Sequence, residues 1–235
     1  MRIQVLADPD AVANEAAARI AAEARRVVAV RQRFVMAVSG GHTPWIMLRA
    51  LASQDLLWNS IHVFQVDERV APAGSADRNL THLYESLVKH VPLPPEQVHA
   101  MPVESPELDA AAANYSQTLC EIAGSPAVLD LVHLGLGPDG HTASLVPGDP
   151  VLAVTENDVA LTGPYQGRRR MTLTYPVLNR ARRILWLVTG AEKAEMLLRL
   201  CKGDRSIPAG RIRQEHAILL ADRAAASKLG AQLTI

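Results

Sequence analysis

The sequence carries no excess of either charge, since 24 Lys and Arg balance 24 Asp and Glu. No global basic field is available to hold a polyanion, so nucleic acid is not an expected partner. Cysteine is scarce: Cys120 and Cys201 lie far apart without CxxC or metal-type spacing, which points away from a disulfide framework and from a zinc site. Both are expected as buried thiols in a reducing compartment. No run approaches the roughly 18 uninterrupted apolar residues of a membrane helix, and the chain reaches Asp8 after only a short apolar stretch. Neither a membrane span nor a signal peptide is expected, and the default location is cytoplasmic. His42, His62, His82, His90, His99, His133 and His216 show no HxxxH or HExxH spacing, so no metal is implied. No serine stands in a G-x-S-x-G elbow, which leaves a serine-hydrolase triad without support. Nothing in the chain calls for a cofactor or an obligate protein partner.

What is present is alternation. Apolar, β-branched runs of strand length are interleaved with longer stretches of helical periodicity, the pattern of βαβ units and a mainly parallel, Rossmann-like sheet with helices on both faces. The strand candidates are Phe34 to Val38, Ile61 to Val66, Leu129 to Leu134, Ile184 to Val188 and Ile218 to Leu220. A further alternating pair, Val159 to Thr162 and Met171 to Thr174, is expected near an edge. Helical segments are Pro9 to Val30, one starting at Thr43-Pro44, Asn79 to Lys89, Pro106 to Ile122 and Ala191 to Leu200. Thr43-Pro44 and Ser105-Pro106 look like cap-plus-proline starts. The 235 residues show no repeat and no linker, so residues 1–235 are expected to form one α/β catalytic domain.

Four strand candidates run straight into glycines or charged residues unsuited to a core. These are Ser39-Gly40-Gly41-His42-Thr43-Pro44, Asp67-Glu68-Arg69, Gly135-Leu136-Gly137-Pro138-Asp139-Gly140-His141 and Thr189-Gly190-Ala191-Glu192-Lys193. If the strands are parallel, the four tips converge on one edge, where open α/β sheets bind ligands. Ser39, Gly40 and Gly41, with Thr43 opening a helix, are suited to an anion such as phosphate, although a tight turn with Thr43 as a plain cap uses the same residues. Lys193 can supply charge for a phosphate, although an isolated lysine near a helix start is usually solvated. The run Arg168-Arg169-Arg170 can clamp one too, although such runs are more often solvated loops, and Arg170 is favoured because it abuts a strand candidate. Gly135-x-Gly137 lacks the third glycine of a dinucleotide fingerprint, which excludes that use.

Asp139 and His141 flank a glycine, so a tight turn can bring carboxylate and imidazole together and make His141 a general base. The alternative is a loop histidine that merely bonds backbone groups. Asp67, in a surface ion-pair cluster or in a desolvated acid pair with Glu68, is the second base candidate.

Taken in this order, the four segments, with Thr142-Ala143-Ser144-Leu145, Arg170-Met171-Thr172-Leu173-Thr174, Gly190 and Lys193, resemble the glucosamine-6-phosphate isomerase/6-phosphogluconolactonase family. Within it they resemble the lactonases most. The resemblance runs from Met1 to the end, with Asp222 to Ala225 similar to the family's closing helix. It implies the fold shared with glucosamine-6-phosphate deaminases and ribose-5-phosphate isomerases. It also implies hydrolysis of 6-phospho-D-glucono-1,5-lactone, the second step of the oxidative pentose phosphate pathway. His141 would then activate water with Asp139 orienting it, and Ser39 to Thr43, Arg170 and Lys193 would hold the phosphate. Stabilisation of the oxyanion by Arg69 and nearby backbone donors is inferred from charge and not from a matched motif.

Two positions depart from the family pattern. Arg78 stands before Asn79 where serine is usual, which is expected to alter sugar contacts, and Val146-Pro147-Gly148 replaces Phe-Pro-Gly as a packing change. A deaminase would carry Asn-Glu-Pro after the histidine loop and Asp-Glu-Tyr in the acid loop; Ser144-Leu145-Val146 and Asp67-Glu68-Arg69 favour the lactonase. A non-catalytic sugar-phosphate sensor is the rival of another class.

Overall fold

The computed structural model describes residues 1–230; the last five residues of the expected domain lie outside the described part. In chain order the elements are β1 (Arg2–Leu6), α1 (Pro9–Arg31), β2 (Phe34–Val38), α2 (His42–Ala52), β3 (Ile61–Gln65), β4 (Asp67–Arg69), α3 (Asn79–Ser86), β5 (Val98–His99), α4 (Leu108–Ala123), β6 (Leu131–Gly135), β7 (Val159–Leu161), β8 (Arg170–Leu173), α5 (Tyr175–Arg180), β9 (Ile184–Val188), α6 (Ala194–Cys201) and β10 (Ala217–Asp222).

Seven strands form one parallel sheet in the order β1-β10-β9-β6-β2-β3-β5. Side chains alternate between its two faces. Phe34, Met36 and Val38 of β2 pack with Leu48 and Leu51 of α2 and Ile20 of α1, whereas Val35 and Ala37 join Leu119 of α4 and Leu197 of α6 on the other face. Burying both faces needs the near-continuous apolar strands that the sequence shows. Each leucine fully withdrawn from water contributes about 1.5–3 kcal/mol, so these two layers dominate the stability.

Helix α1 shows how the sequence sets an element's ends. Asp8 accepts the Ala11 N–H at 2.8 Å, Pro9 needs no N–H partner at the first position, and Gln32 ends the helix at φ 59° with its N–H on Val28. Its alanines allow a close approach to α2.

Several expectations need correction. The Val159 and Met171 segments do not lie on an edge of the main sheet; with β4 they make a separate antiparallel sheet, β4-β8-β7. Thr43 and Ser105 are not caps: Gly41 caps α2 and Glu107 caps α4, because φ 127° at the first of these positions suits only glycine. Asp222 to Ala225 forms no α-helix; a single 3₁₀ turn, Ala225–Lys228, follows the strand. The two thiols are half-buried and free. No helix among the described residues is long and apolar enough to cross a membrane.

Adjacent strands β9, β6, β2 and β3 carry the four chemically distinctive tips, all at one edge. From β2 the chain moves outward to β3 and β5, then returns to β6 on the other side. The gap between β2 and β6 is therefore the point where strand order reverses, and the loops after those strands diverge to open a crevice.

Candidate active site

The first loop is tied across that gap. Ser39 donates its N–H to Nδ1 of His133 at 3.2 Å and its hydroxyl to the His133 carbonyl at 3.1 Å. His133 is wholly buried, and burial pushes its imidazole down to about 3, so it is neutral at ordinary pH. Gly40 is irreplaceable on spatial grounds, since a Cβ there would stand 1.9 Å from Oδ1 of Asn79. Gly41 starts α2 without a side-chain cap, which leaves the first-turn N–H groups open to an anion. Thr43 sits inside the helix, with Oγ1 2.7 Å from Oγ1 of Thr189 after β9.

The acid loop divides its residues between core and crevice. Glu68 is fully buried and accepts hydrogen bonds from Gln65 and from the N–H groups of Arg69, Asn79 and Leu80, each at 2.8 Å. It also pairs with Arg78 at 3.2 Å. Arg78 further bonds Glu104 and the Ala71 carbonyl, so its guanidinium is spent inside the fold. It does not line the crevice, which corrects the expectation that it alters sugar contacts: a buried cation must be paired, and Glu68 and Glu104 are its partners. Asp67 accepts from the Ser144 hydroxyl at 2.6 Å. The β4–β8 register sets Arg69 opposite Arg170. Arg69 is held by Oδ1 of Asn79 at 2.6 Å; Nε of Arg170 is buried with no hydrogen-bond partner among the described residues. Burial pushes the Arg170 guanidinium below its usual range, with Asp67 opposing and Arg69 reinforcing that shift. Two cations side by side in a half-dry crevice make a strong demand for an anion.

In the third loop the Gly137 N–H donates to the His141 carbonyl at 2.8 Å, and Gly140, at φ 85°, closes the turn on the Gly137 carbonyl. The turn sets His141 Nδ1 2.6 Å from Oδ1 of Asp139. The Tyr165 hydroxyl donates to the other oxygen, Oδ2, at 3.1 Å. Burial pushes the Asp139 carboxyl up, but the His141 backbone N–H, the His141 ring and Tyr165 outweigh it and hold the group below its ordinary value. Lys193 lies beyond β9; its burial lowers the ammonium from the usual lysine range against the pull of Glu192 and Asp139.

Ser39, Gly40, Gly41, Thr43, Asp67, Arg69, His141, Arg170 and Lys193 all line one cavity of about 320 Å³; Asp139 does not line it and reaches it through its bond to His141. The volume suits a ligand the size of a sugar phosphate. No group of three or more His, Cys, Asp and Glu side chains among the described residues is placed to hold a metal ion.

The family model described as glucosamine-6-phosphate isomerases/6-phosphogluconolactonase matches residues 7–220. The chain belongs to this family. Among curated relatives, it is 36% identical over 241 residues to the 6-phosphogluconolactonase of Mycobacterium tuberculosis, covering 97% of this chain and 98% of that one. It is 34% identical to the 6-phosphogluconolactonase of Synechocystis over 83% of each chain. Among solved structures, the 6-phosphogluconolactonase of Thermotoga maritima superposes with a TM-score of 0.83 at 29% identity, covering 94% of this chain and 98% of that one. A monomeric glucosamine-6-phosphate deaminase superposes with a TM-score of 0.82 at 20% identity, over 97% of this chain and 99% of that one, which shows the shared fold.

Beside the residues expected from the sequence, the family's crevice holds others that sequence reasoning passed over. Asn79 bridges Asp67 and Arg69 and lies against Gly40; Ser144, buried behind the wall, bonds Asp67; Glu192 lines the wall beside Lys193. The adjacency of Arg78 and Asn79 to the acid loop was the available signal for Asn79. Nothing in the sequence marked Tyr165, because its direction is set by a tight turn between β7 and β8 with positive φ at Gln166, a residue type that does not announce one.

Proposed function

We propose that the protein hydrolyses 6-phospho-D-glucono-1,5-lactone to 6-phosphogluconate, the second step of the oxidative pentose phosphate pathway. The observation that carries this reading is the Asp139–His141 pair, 2.6 Å apart, at the mouth of a crevice whose other wall is cationic. With Nδ1 of His141 turned to Asp139, Nε2 is left to take a proton from water. The resulting hydroxide adds to the lactone carbonyl, and Arg69 stabilises the tetrahedral oxyanion. Collapse breaks the ring C–O bond, and the proton on His141 passes to the departing ring oxygen. Asp139 stays ionised throughout and holds the imidazolium. The glycine turn from Ser39 to Thr43, Arg170 and Lys193 hold the phosphate, and Asp67 keeps the two arginines compensated while the site is empty.

Ser144-Leu145-Val146 supports the lactonase over the deaminase. No carboxylate follows the histidine until Asp149, and that side chain accepts the N–H groups of Val151 and Gly163, at 2.8 Å and 2.9 Å, away from the cavity. The decisive experiment follows hydrolysis of freshly generated lactone with and without the protein, with glucosamine 6-phosphate in parallel. Acceleration above the spontaneous rate is expected with the lactone. Ammonia release from the amino sugar would transfer the chain to the deaminases, and tight ligand binding without either turnover would make it a sensor.

A further inference from the structure

The turn joining β7 to β8 presents a side chain that the proposed chemistry leaves unused. Tyr165 and Arg168 exchange both backbone hydrogen bonds, at 2.9 Å and 3.2 Å, around Gln166 and Gly167, whose φ values are 53° and 78°. Two consecutive positive φ angles define the tight hairpin turn whose twist matches its strands, so the residue ahead of it is held firmly in direction. That residue is Tyr165. Its hydroxyl bonds Oδ2 of Asp139, the oxygen not used by the His141 ring. Its ring stands edge-on to His141 with centroids 5.5 Å apart, and the Arg170 guanidinium lies 4.9 Å from its centroid. Arg170 in turn donates to Gln166 at 3.3 Å, which closes the arrangement.

We propose that Tyr165 is a positioning residue for the general base: locked by the hairpin and by Arg170, it fixes the Asp139 carboxylate, and through it the plane of the His141 ring. This rests on the lactonase reading for its kinetic consequence, though not for its structural one. A carboxylate with one oxygen unheld can rotate about its last bond, and the imidazole it supports loses its single orientation. The hydroxyl also draws charge from Asp139, so removing it makes the carboxylate a stronger partner for imidazolium. Burial and the Asp139 charge hold the Tyr165 phenol above its ordinary value, which keeps it a donor at working pH. The other charged groups facing the pair are Lys193 and Glu192 after β9, Arg170 on β8, and Asp67 and Arg69 on β4. All are retained when only the hydroxyl is removed.

Tyr165→Phe keeps the ring beneath Arg170 and tests the hydroxyl alone. With spontaneous hydrolysis subtracted, kcat is expected to fall about tenfold and KM to change less than about twofold. The acid limb of the kcat/KM profile should move to higher pH. Unchanged kcat and an unmoved limb, or a loss confined to KM, would overturn the proposal. A second measurement needs no turnover: in ¹⁵N spectra of the His141 ring, the titration midpoint should rise in the variant, and an unmoved midpoint overturns the positioning role even if wild-type protein hydrolyses no lactone. Failure of the wild-type protein to accelerate hydrolysis, with the midpoint raised, would instead discard the lactonase reading and keep the positioning role.

Discussion

A Cβ built on Gly137 would stand 2.1 Å from Nδ1 of His141 and 2.7 Å from Oδ1 of Asp139. The pairing of these two side chains therefore occupies the space that any larger residue at 137 would need. Gly137→Ala must push the imidazole off the carboxylate, and a misplacement of about 1 Å is enough to lose about 100-fold in rate. The catalysed rate is expected to fall by at least that factor while circular dichroism stays native. A variant with full activity would show that the observed His141 orientation is not the working one.

His141→Ala tests the base directly. Removing a general base typically forfeits about 10²–10⁴-fold, so most of the excess over spontaneous hydrolysis should vanish. Binding of 6-phosphogluconate, followed calorimetrically, should persist because the cationic wall is intact. Full activity in this variant would remove His141 from the mechanism.

Arg78→Met separates structure from chemistry in the acid loop. Leaving Glu68 buried without its cation should cost about 3–5 kcal/mol in urea unfolding, while the folded fraction keeps its kcat/KM within about twofold, since Arg78 does not reach the cavity. A variant with unchanged stability and lost activity would restore Arg78 as a substrate contact.

How far the site could be read in the sequence depends on where each residue's placement comes from. Ser39 to Thr43 and Gly135 to His141 were legible because each follows an apolar strand without a spacer, and parallel order does the rest. Asp67-Glu68-Arg69 contains no apolar residue, so its strand conformation was hidden; it is imposed by pairing with Arg170–Thr172. The first strand, Arg2–Leu6, mixes Arg2 and Gln4 with its apolar residues and so did not register, and it is set by its partner β10. Burial of Arg78 runs against the ordinary expectation for a charged side chain and is understandable only once Glu68 and Glu104 are seen around it. Tyr165 depends on a turn with positive φ at Gln166, a residue type that gives no turn signal.

Acid sensitivity follows from His133. Its folded value of about 3 lies below the ordinary histidine value near 6.5, so between those limits the unfolded chain binds a proton that the native chain does not. Its contribution is neutral above about pH 6.5, and stability falls as pH drops, by up to about 1.4 kcal/mol per pH unit down to about pH 3. His133→Asn, whose amide oxygen can still accept the Ser39 N–H, should flatten the stability-against-pH curve in that window relative to wild type. Parallel curves for the two proteins would show that His133 does not titrate on unfolding.

Lys193→Ala tests which end of the ligand faces β9. As a compact ammonium, partly desolvated in the crevice, Lys193 should interact strongly with a phosphate and weakly with a neutral hydroxyl. Lys193→Ala should therefore weaken 6-phosphogluconate binding by about tenfold or more, a charge-assisted hydrogen bond's worth, and change gluconate binding little. Calorimetry on both ligands at one ionic strength gives the comparison. An equal loss for the two would move the phosphate away from Lys193, toward Arg69 and Arg170 alone, and would place the lactone carbonyl, not the phosphate, beneath the β9 loop.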